Sequence, residues 1–427
     1  MFMNRRIHAW NETGRVKHYY NYFWAYLIAV SGLAVVTLFL FIKVGWVSVH
    51  TSVAWILLLV GGSLLISTVN QVVIPGLNLL GYRGSFVSLS LATTAMSLMA
   101  SIAIVIGFTP SAENWICGLL AGQLIFAAVG WKTFFGKLKA HEELQNPTQR
   151  HLDVLLGFAW PIAISVGLTW TQTQSYRFMM ESSLGLNELG LFAAGYGISA
   201  GIIAAFESVF ATYLQPVFYK NITNATLFDQ SKAWGDYADT IFPSLILVGA
   251  VILACAPELT HAMLGSKYWS SSQFIIWGVV AELARVASGV YGMIAHARMK
   301  TRLLLLPSMV GATLSLTLIW LLIPLYGSNG VGAALMISSL SSFVLTIVFT
   351  RKELAAILSG KMLISGGLMG VGLILLSVML RWLTDENMNF ISIVMRLTVV
   401  GIVFLGFQYV LIRPMISWKR SILTIDQ

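Results

Sequence analysis

Four ionisable residues lie inside or at the end of long apolar runs in this 427-residue chain: Arg177, Glu207, Glu282 and Arg285. Ionisable groups are costly at membrane depth and are therefore candidates for transport or binding roles. Glu282 and Arg285 are three residues apart and share one face of a helix. They either neutralise each other as a structural pair or line a path in which Glu282 takes a proton or a cation. Glu207 stands alone, so it needs a proton, water or an arginine that the sequence does not identify.

The run Thr169-Trp-Thr-Gln-Thr-Gln-Ser-Tyr176 before Arg177 is unusually polar for a membrane segment, and it contains Gln172 and Gln174. Its hydrogen-bonding side chains fit a water-filled cavity, and the planar guanidinium of Arg177 fits a phosphate. We therefore predict substrate contacts for Arg177, Arg285, Gln172 and Gln174. Alternatively, Arg177 is an interfacial side chain that extends outward to water, as we expect for Arg396.

Long apolar segments must position these residues. Charged residues make up 10% of the chain and hydrophobic residues 57%, whereas soluble proteins carry about 25% charged residues. Because a bilayer is crossed by about 20 apolar residues and lipid excludes open backbone groups, the sequence predicts an all-α polytopic membrane protein. The twelve predicted spans are 22–42, 52–74, 85–107, 113–135, 154–176, 189–217, 238–256, 272–296, 303–325, 330–350, 362–383 and 391–412.

The lysines and arginines predict the orientation of these spans. If residues 1–21 lie inside and the spans alternate, 20 Lys and Arg lie on the inner side and four on the outer side. The outer four are Lys43, Arg177, Lys267 and Arg381. This asymmetry places both termini in the cytoplasm. It also accounts for the net charge of +9 without a nucleic-acid partner.

The polar stretch 136–153 predicts a cytoplasmic linker between two helical bundles, which divides the spans four to eight. The predicted parts are an N-terminal lobe of four helices (1–135), a C-terminal lobe of six helices (154–350), and two extra helices with a cytoplasmic tail (351–427). Outer loops are short, which disfavours a membrane polymerase or glycosyltransferase with a large outer catalytic loop. Pro161 and Pro216 are the predicted hinges, because proline removes a helical hydrogen bond.

The chain has no Walker loop, no Gly-rich nucleotide fingerprint and no His-rich cluster. We therefore predict a protein that is not an enzyme and has no cofactor, no metal site and no ATP-driven step. Its two cysteines, Cys117 and Cys255, lie in apolar spans without metal-binding spacing. They are expected to be small packing residues.

Three segments resemble a known family. The run Ile323-Pro-Leu-Tyr-Gly327-Ser-Asn-Gly330-Val-Gly-Ala-Ala334 is similar to the "IPxxGxxGAA" turn of polysaccharide repeat-unit flippases. In segment 158–219, the stretch Glu188-Leu-Gly-Leu-Phe-Ala-Ala-Gly-Tyr196 and the flanking prolines resemble the same family, as does Leu264-Gly-Ser-Lys-Tyr268. This family is the O-antigen and capsule branch of the multidrug/oligosaccharidyl-lipid/polysaccharide exporter superfamily. The chain has Tyr176-Arg177 where the family often has an Asp-Arg pair.

The resemblance covers roughly residues 20–412 and implies a flippase of the bacterial inner membrane. Its substrate would be an undecaprenyl-pyrophosphate-linked oligosaccharide, carried across for lipopolysaccharide or capsule assembly. Two bundles would rock around a central cationic cavity. Arg177 and Arg285 would hold the pyrophosphate, and Glu207 or Glu282 would couple transport to a proton or sodium gradient. Membrane lipids and other membrane proteins of polysaccharide assembly are the implied partners.

Because the family has two six-helix lobes, sometimes with two further helices, the resemblance also predicts that about two N-terminal helices, some 60 residues, are missing. One alternative function is a cation-coupled small-molecule or drug antiporter of the same superfamily. That reading predicts an acidic, aromatic-lined cavity, whereas the candidate residues here are at least as basic as acidic.

Overall fold

The computed structural model describes residues 7, 11, 16–45, 51–138, 150–222, 225–354, 358–384 and 389–423, with only the backbone described at 18, 150–156, 158 and 414–423. These residues are almost entirely helical and contain no strand. The chain divides into two compact units, Met1–Thr148 and Gln149–Gln427. The predicted linker 136–153 spans this division, and most of it lies outside the described residues.

The described residues of the N-terminal unit form four long helices: α1 Val16–Val44, α2 Val53–Leu79, α3 Arg83–Gly107 and α4 Ala112–Gly136. Helices α3 and α4 approach closely, because Gly118 and Gly122 of α4 lie directly against the backbone of Ser101 and Ser97. Small residues at such a crossing let two helix backbones pack without a hydrophobic driving force, as expected in lipid. The Gln123 side-chain oxygen accepts a 2.8 Å hydrogen bond from Ser67, which ties α2 to α4.

In the C-terminal unit, the residues that the structure describes form eight α-helices and two 3-10 segments. They are α5 Arg150–Gln174, α6 Tyr176–Ile222, α7 Leu227–Ala254, α8 Ala256–Met263, a 3-10 segment Ser266–Phe274, α9 Ile275–Ala297, a 3-10 segment Thr301–Leu304, α10 Leu305–Thr350, α11 Gly360–Leu383 and α12 Phe390–Leu423. The core lies between α6, α7 and α9. There the fully buried Trp234 of α7 donates a 3.0 Å hydrogen bond to the carbonyl of Val290 in α9.

Helices α6 and α10 each contain one break, and both breaks are at glycine. Gly185 has φ 83° and ψ 170°, and Gly327 has φ 54° and ψ −135°. Both conformations lie in regions of backbone space that only glycine occupies without strain. The two predicted hinges lie inside helices: Pro161 is within α5 and Pro216 is within α6. Their role as hinges stays a prediction.

The described residues form ten helical stretches that are long and apolar enough to cross a membrane. Two of them, 159–222 and 301–350, contain 64 and 50 residues and include the breaks at Gly185 and Gly327. Each is therefore long enough for two crossings. The protein is a multi-pass membrane protein, and the predicted count of twelve spans stays a prediction.

Within the C-terminal unit, a buried charge cluster connects the last two helices, α11 and α12, to α8. Glu258 of α8 is fully buried and pairs with Arg381 of α11 at 2.8 Å and with Arg396 of α12 at 3.2 Å. The expectation that Arg396 extends outward to water is wrong, because its side chain is only 4% exposed. A buried partner for Arg396 was not predictable, since Glu258 lies in a short loop between two predicted spans.

Gly195→Ala is expected to destabilise the protein by about 1–3 kcal/mol, because an added Cβ would overlap the backbone carbonyl of Ser271. Gly197→Ala on the same helix is the matched control. A Cβ at Gly197 meets no atom within 4 Å, so this change is expected to be neutral or slightly stabilising. Thermal unfolding of both variants in detergent tests the difference, and equal midpoints would contradict the close approach at Gly195.

Candidate functional site

Arg285 joins two acidic side chains in the C-terminal unit. Its Nη2 donates to Glu207 Oε2 at 2.7 Å, and its Nε donates to Glu282 Oε2 at 2.6 Å. The hydroxyl of Tyr196 donates to the other oxygen of Glu282, Oε1, at 2.9 Å. We call Tyr196, Glu207, Glu282 and Arg285 the carboxylate–arginine cluster.

Two neighbouring helices supply this cluster. Tyr196 and Glu207 lie on α6, eleven residues or three helical turns apart, so both face α9. Glu282 and Arg285 lie on α9 one turn apart. The helices approach closely at Gly278 of α9, where an added Cβ would lie 3.1 Å from the carbonyl oxygen of Tyr196. A glycine at this crossing thus brings the charged groups of both helices within hydrogen-bonding distance.

The cluster carries a net charge of −1 when both carboxylates are ionised, because one guanidinium faces two acids. The exposed fraction of the side chain rises from 7% at Glu282 to 27% at Arg285 and 38% at Glu207. The Glu282 side chain is therefore buried, whereas part of the Glu207 side chain is accessible. A single proton or monovalent cation would balance the remaining charge, and charge balance is strongly favoured in a low-dielectric environment.

The remaining predicted substrate contacts lie elsewhere in this unit. Arg177 is exposed, and its guanidinium lies 5.8 Å from the ring centre of Tyr176. That ring is 5.9 Å from the ring of Tyr196, so Arg177 lies near the cluster without joining it. Gln174 is half-buried on α5. The assignment of these residues to substrate stays a prediction.

Gln172 is buried between α5 and α10. Its side-chain amide nitrogen donates to the hydroxyl of Ser339 at 3.3 Å, and its backbone carbonyl oxygen accepts a 2.8 Å hydrogen bond from Ser315. Gly311 lies directly against the same amide. This environment ties α5 to α10, and a substrate would reach Gln172 only if these helices separated.

Sequence reasoning found three of the four cluster residues and missed Tyr196, which entered only as the end of a family-like stretch. It also left the partner of Glu207 unidentified. That partner, Arg285, lies 78 residues further along the chain. The signal in the sequence was charge within apolar spans. A lone acid in one span and an acid–base pair in another cost the least free energy when they lie side by side.

No family model and no curated protein sequence matches this chain. Two solved structures have a similar fold. A lipid II flippase, MurJ, in an inward closed conformation matches with a TM-score of 0.54 and 16% identity, over 93% of this chain and 83% of that chain. A point mutant of a MATE protein matches with a TM-score of 0.59 and 12% identity, over 77% of each chain. The chain therefore shares its fold with a lipid II flippase and a MATE protein.

Proposed function

We propose that this protein is a flippase for lipid-linked oligosaccharides in a bacterial inner membrane. It would carry undecaprenyl-pyrophosphate-linked repeat units to the outer leaflet for surface polysaccharide assembly. The fold shared with a lipid II flippase supports this class of substrate, and so does the flippase-like turn at Ile323–Ala334. The observation that carries the proposal is the carboxylate–arginine cluster, an unbalanced charge inside the helices of that fold.

In this proposal the cluster couples substrate movement to a cation gradient. Two carboxylates sharing one guanidinium can take up a proton or a sodium ion and release it again, which changes the charge between α6 and α9. Arg177, which is exposed and outside the cluster, is the proposed ligand of the pyrophosphate. For Arg285 we now propose the role of counter-ion, because a phosphate would compete with two carboxylates that already bind it.

We also propose that the chain crosses the membrane twelve times, with each glycine-broken stretch crossing twice. Both termini would then lie in the cytoplasm, with four spans before residue 136 and eight after residue 153. Fusions to the C-terminus test this topology. A fluorescent protein that matures only in the cytoplasm should fluoresce there, whereas an active alkaline phosphatase at the same position would refute the cytoplasmic C-terminus.

A small-molecule antiporter is the second candidate, favoured by the TM-score of 0.59 with a MATE protein and by the net negative cluster. A strain that lacks the gene separates the two. If the chain is a flippase, the deletion loses surface polysaccharide and retains intact lipid-linked units on the cytoplasmic side. Restoring the wild-type chain should then reverse both effects.

The variant Glu207→Gln tests the cluster in the same strain and should fail to restore surface polymer. Glu353→Gln is its control, since Glu353 pairs with the exposed Lys300 and not with Arg285, and it should restore more surface polymer than Glu207→Gln does. If the deletion strain keeps its normal amounts of surface polysaccharide and of lipid-linked units but becomes more sensitive to cationic drugs, the antiporter is favoured.

A further inference from the structure

The two carboxylates of the cluster have different hydrogen-bonding environments. Glu282 accepts one hydrogen bond at each oxygen, from Tyr196 at 2.9 Å and from Arg285 at 2.6 Å. Its side chain is 7% exposed. Glu207 is 38% exposed, and within the described part of the chain it has a single hydrogen bond, from Arg285 at 2.7 Å.

Tyr196 is held in place and its hydroxyl has no access to bulk water. The residue is 5% exposed, and its ring lies 5.7 Å from that of Phe192 and 5.9 Å from that of Tyr176. A buried hydroxyl needs a hydrogen-bond partner, and the partner here is Oε1 of Glu282. Tyr196 and Arg285 both donate to Glu282, and hydrogen bonds that a carboxylate accepts favour its charged form.

We infer that Tyr196 is a positioning residue that keeps Glu282 a fixed anion and thereby leaves Glu207 as the group that exchanges the coupling proton or cation. This inference rests on the proposed coupling function and assigns a different role to each of the two acids. Glu282 and Arg285 form the permanent pair of the site. Glu207, with one oxygen available and an open side, changes its charge during transport.

The other titratable groups near the two acids are tyrosines, which are uncharged when protonated. Tyr176, on the same helix as Tyr196, lies near Glu282, and Tyr237 of α7 lies near Glu207. Helix α12 presents the uncharged ring of Phe404, packed 5.5 Å from the ring of the residue next to Glu207 on α6. The cation that faces both acids in the described residues is therefore Arg285.

Infrared difference spectroscopy of the purified full chain tests the inference, because the carbonyl stretch of a protonated carboxylic acid is separate from the bands of a carboxylate. Spectra are recorded across a pH titration and compared between wild type and variants. Glu207→Gln should remove one titrating acid band. Glu282→Gln should leave that band in place.

Tyr196→Phe keeps the ring and removes only the hydroxyl, so it is expected to fold. It should add one acid band to the wild-type spectrum, because Glu282 has lost one donor to its charged form. Tyr213→Phe, at an exposed position on the same helix, is the control and should leave the spectrum unchanged.

Two results would overturn the inference: loss of the wild-type acid band in Glu282→Gln rather than Glu207→Gln, or an unchanged titration in Tyr196→Phe. The measurement uses no transported substrate. It can therefore support the division of labour even if the flippase assay fails, and refute it even if the flippase assay succeeds.

Discussion

Replacing Glu258 by glutamine is expected to lower the free energy of unfolding by about 3–5 kcal/mol. Glu258 is fully buried and accepts hydrogen bonds from Arg381 at 2.8 and 2.9 Å and from Arg396 at 3.2 Å. Without the carboxylate, the buried guanidinium of Arg396 and the half-buried guanidinium of Arg381 each lose an ion pair. Because they belong to α11 and α12, these helices should separate first. Unfolding of the purified protein in mixed detergent micelles measures the loss.

The control for this prediction is an exposed ion pair in the same unit. Glu353 pairs with Lys300 at 2.8 Å, but the Lys300 side chain is 54% exposed. Glu353→Gln should therefore cost less than about 1 kcal/mol. Equal losses in the two variants would mean that the Glu258 cluster does not hold the last two helices in place.

Replacing Arg285 by methionine is expected to reduce transport by roughly 100-fold or more. The change leaves Glu207 and Glu282 with two negative charges and no counter-ion, and breaking such a pair costs about 3 kcal/mol or more, equivalent to about two decades in rate. Transport is read as surface polysaccharide in the deletion strain, with the amount of protein in the membrane measured alongside. Near-wild-type transport in Arg285→Met would remove the cluster from the mechanism.

A double variant separates the effect on folding from the effect on transport. Arg285→Met with Glu282→Gln restores the net charge of −1, so the protein should accumulate in the membrane better than the single variant. It should still fail to transport, because Glu207 no longer has a partner that responds to its charge. If the double variant transports normally, net charge rather than the arrangement of these residues supports the activity.

Apolar length was enough to predict the long helices of both units, because lipid leaves a span no alternative to helix. The breaks in the two longest helices lie between predicted spans, because Gly185 is in the interval 177–188 and Gly327 is in the interval 326–329. Gly327 also belongs to the family-like turn, whereas nothing local distinguishes Gly185 from the many other glycines. The roles of Pro161 and Pro216 as hinges stay predictions.

The charged site was predictable only within one helix. The spacing of Glu282 and Arg285 predicted a shared face, and the structure confirms that they pair. The contacts of Glu207 and Tyr196 depend on how α6 docks on α9, which a local pattern does not encode. Arg396 shows the same limit, since its partner Glu258 comes from a segment 138 residues away.

Direct flipping in vesicles tests the central proposal most sharply. The purified chain is reconstituted with lipid-linked oligosaccharide extracted from the deletion strain, and a membrane-impermeant glycosidase reports how much substrate faces outward. An imposed proton or sodium gradient should shift that fraction with the wild-type chain and not with Glu207→Gln. A folded wild-type chain that moves a cationic dye under the same gradient, but leaves the oligosaccharide where it was, would contradict the proposal.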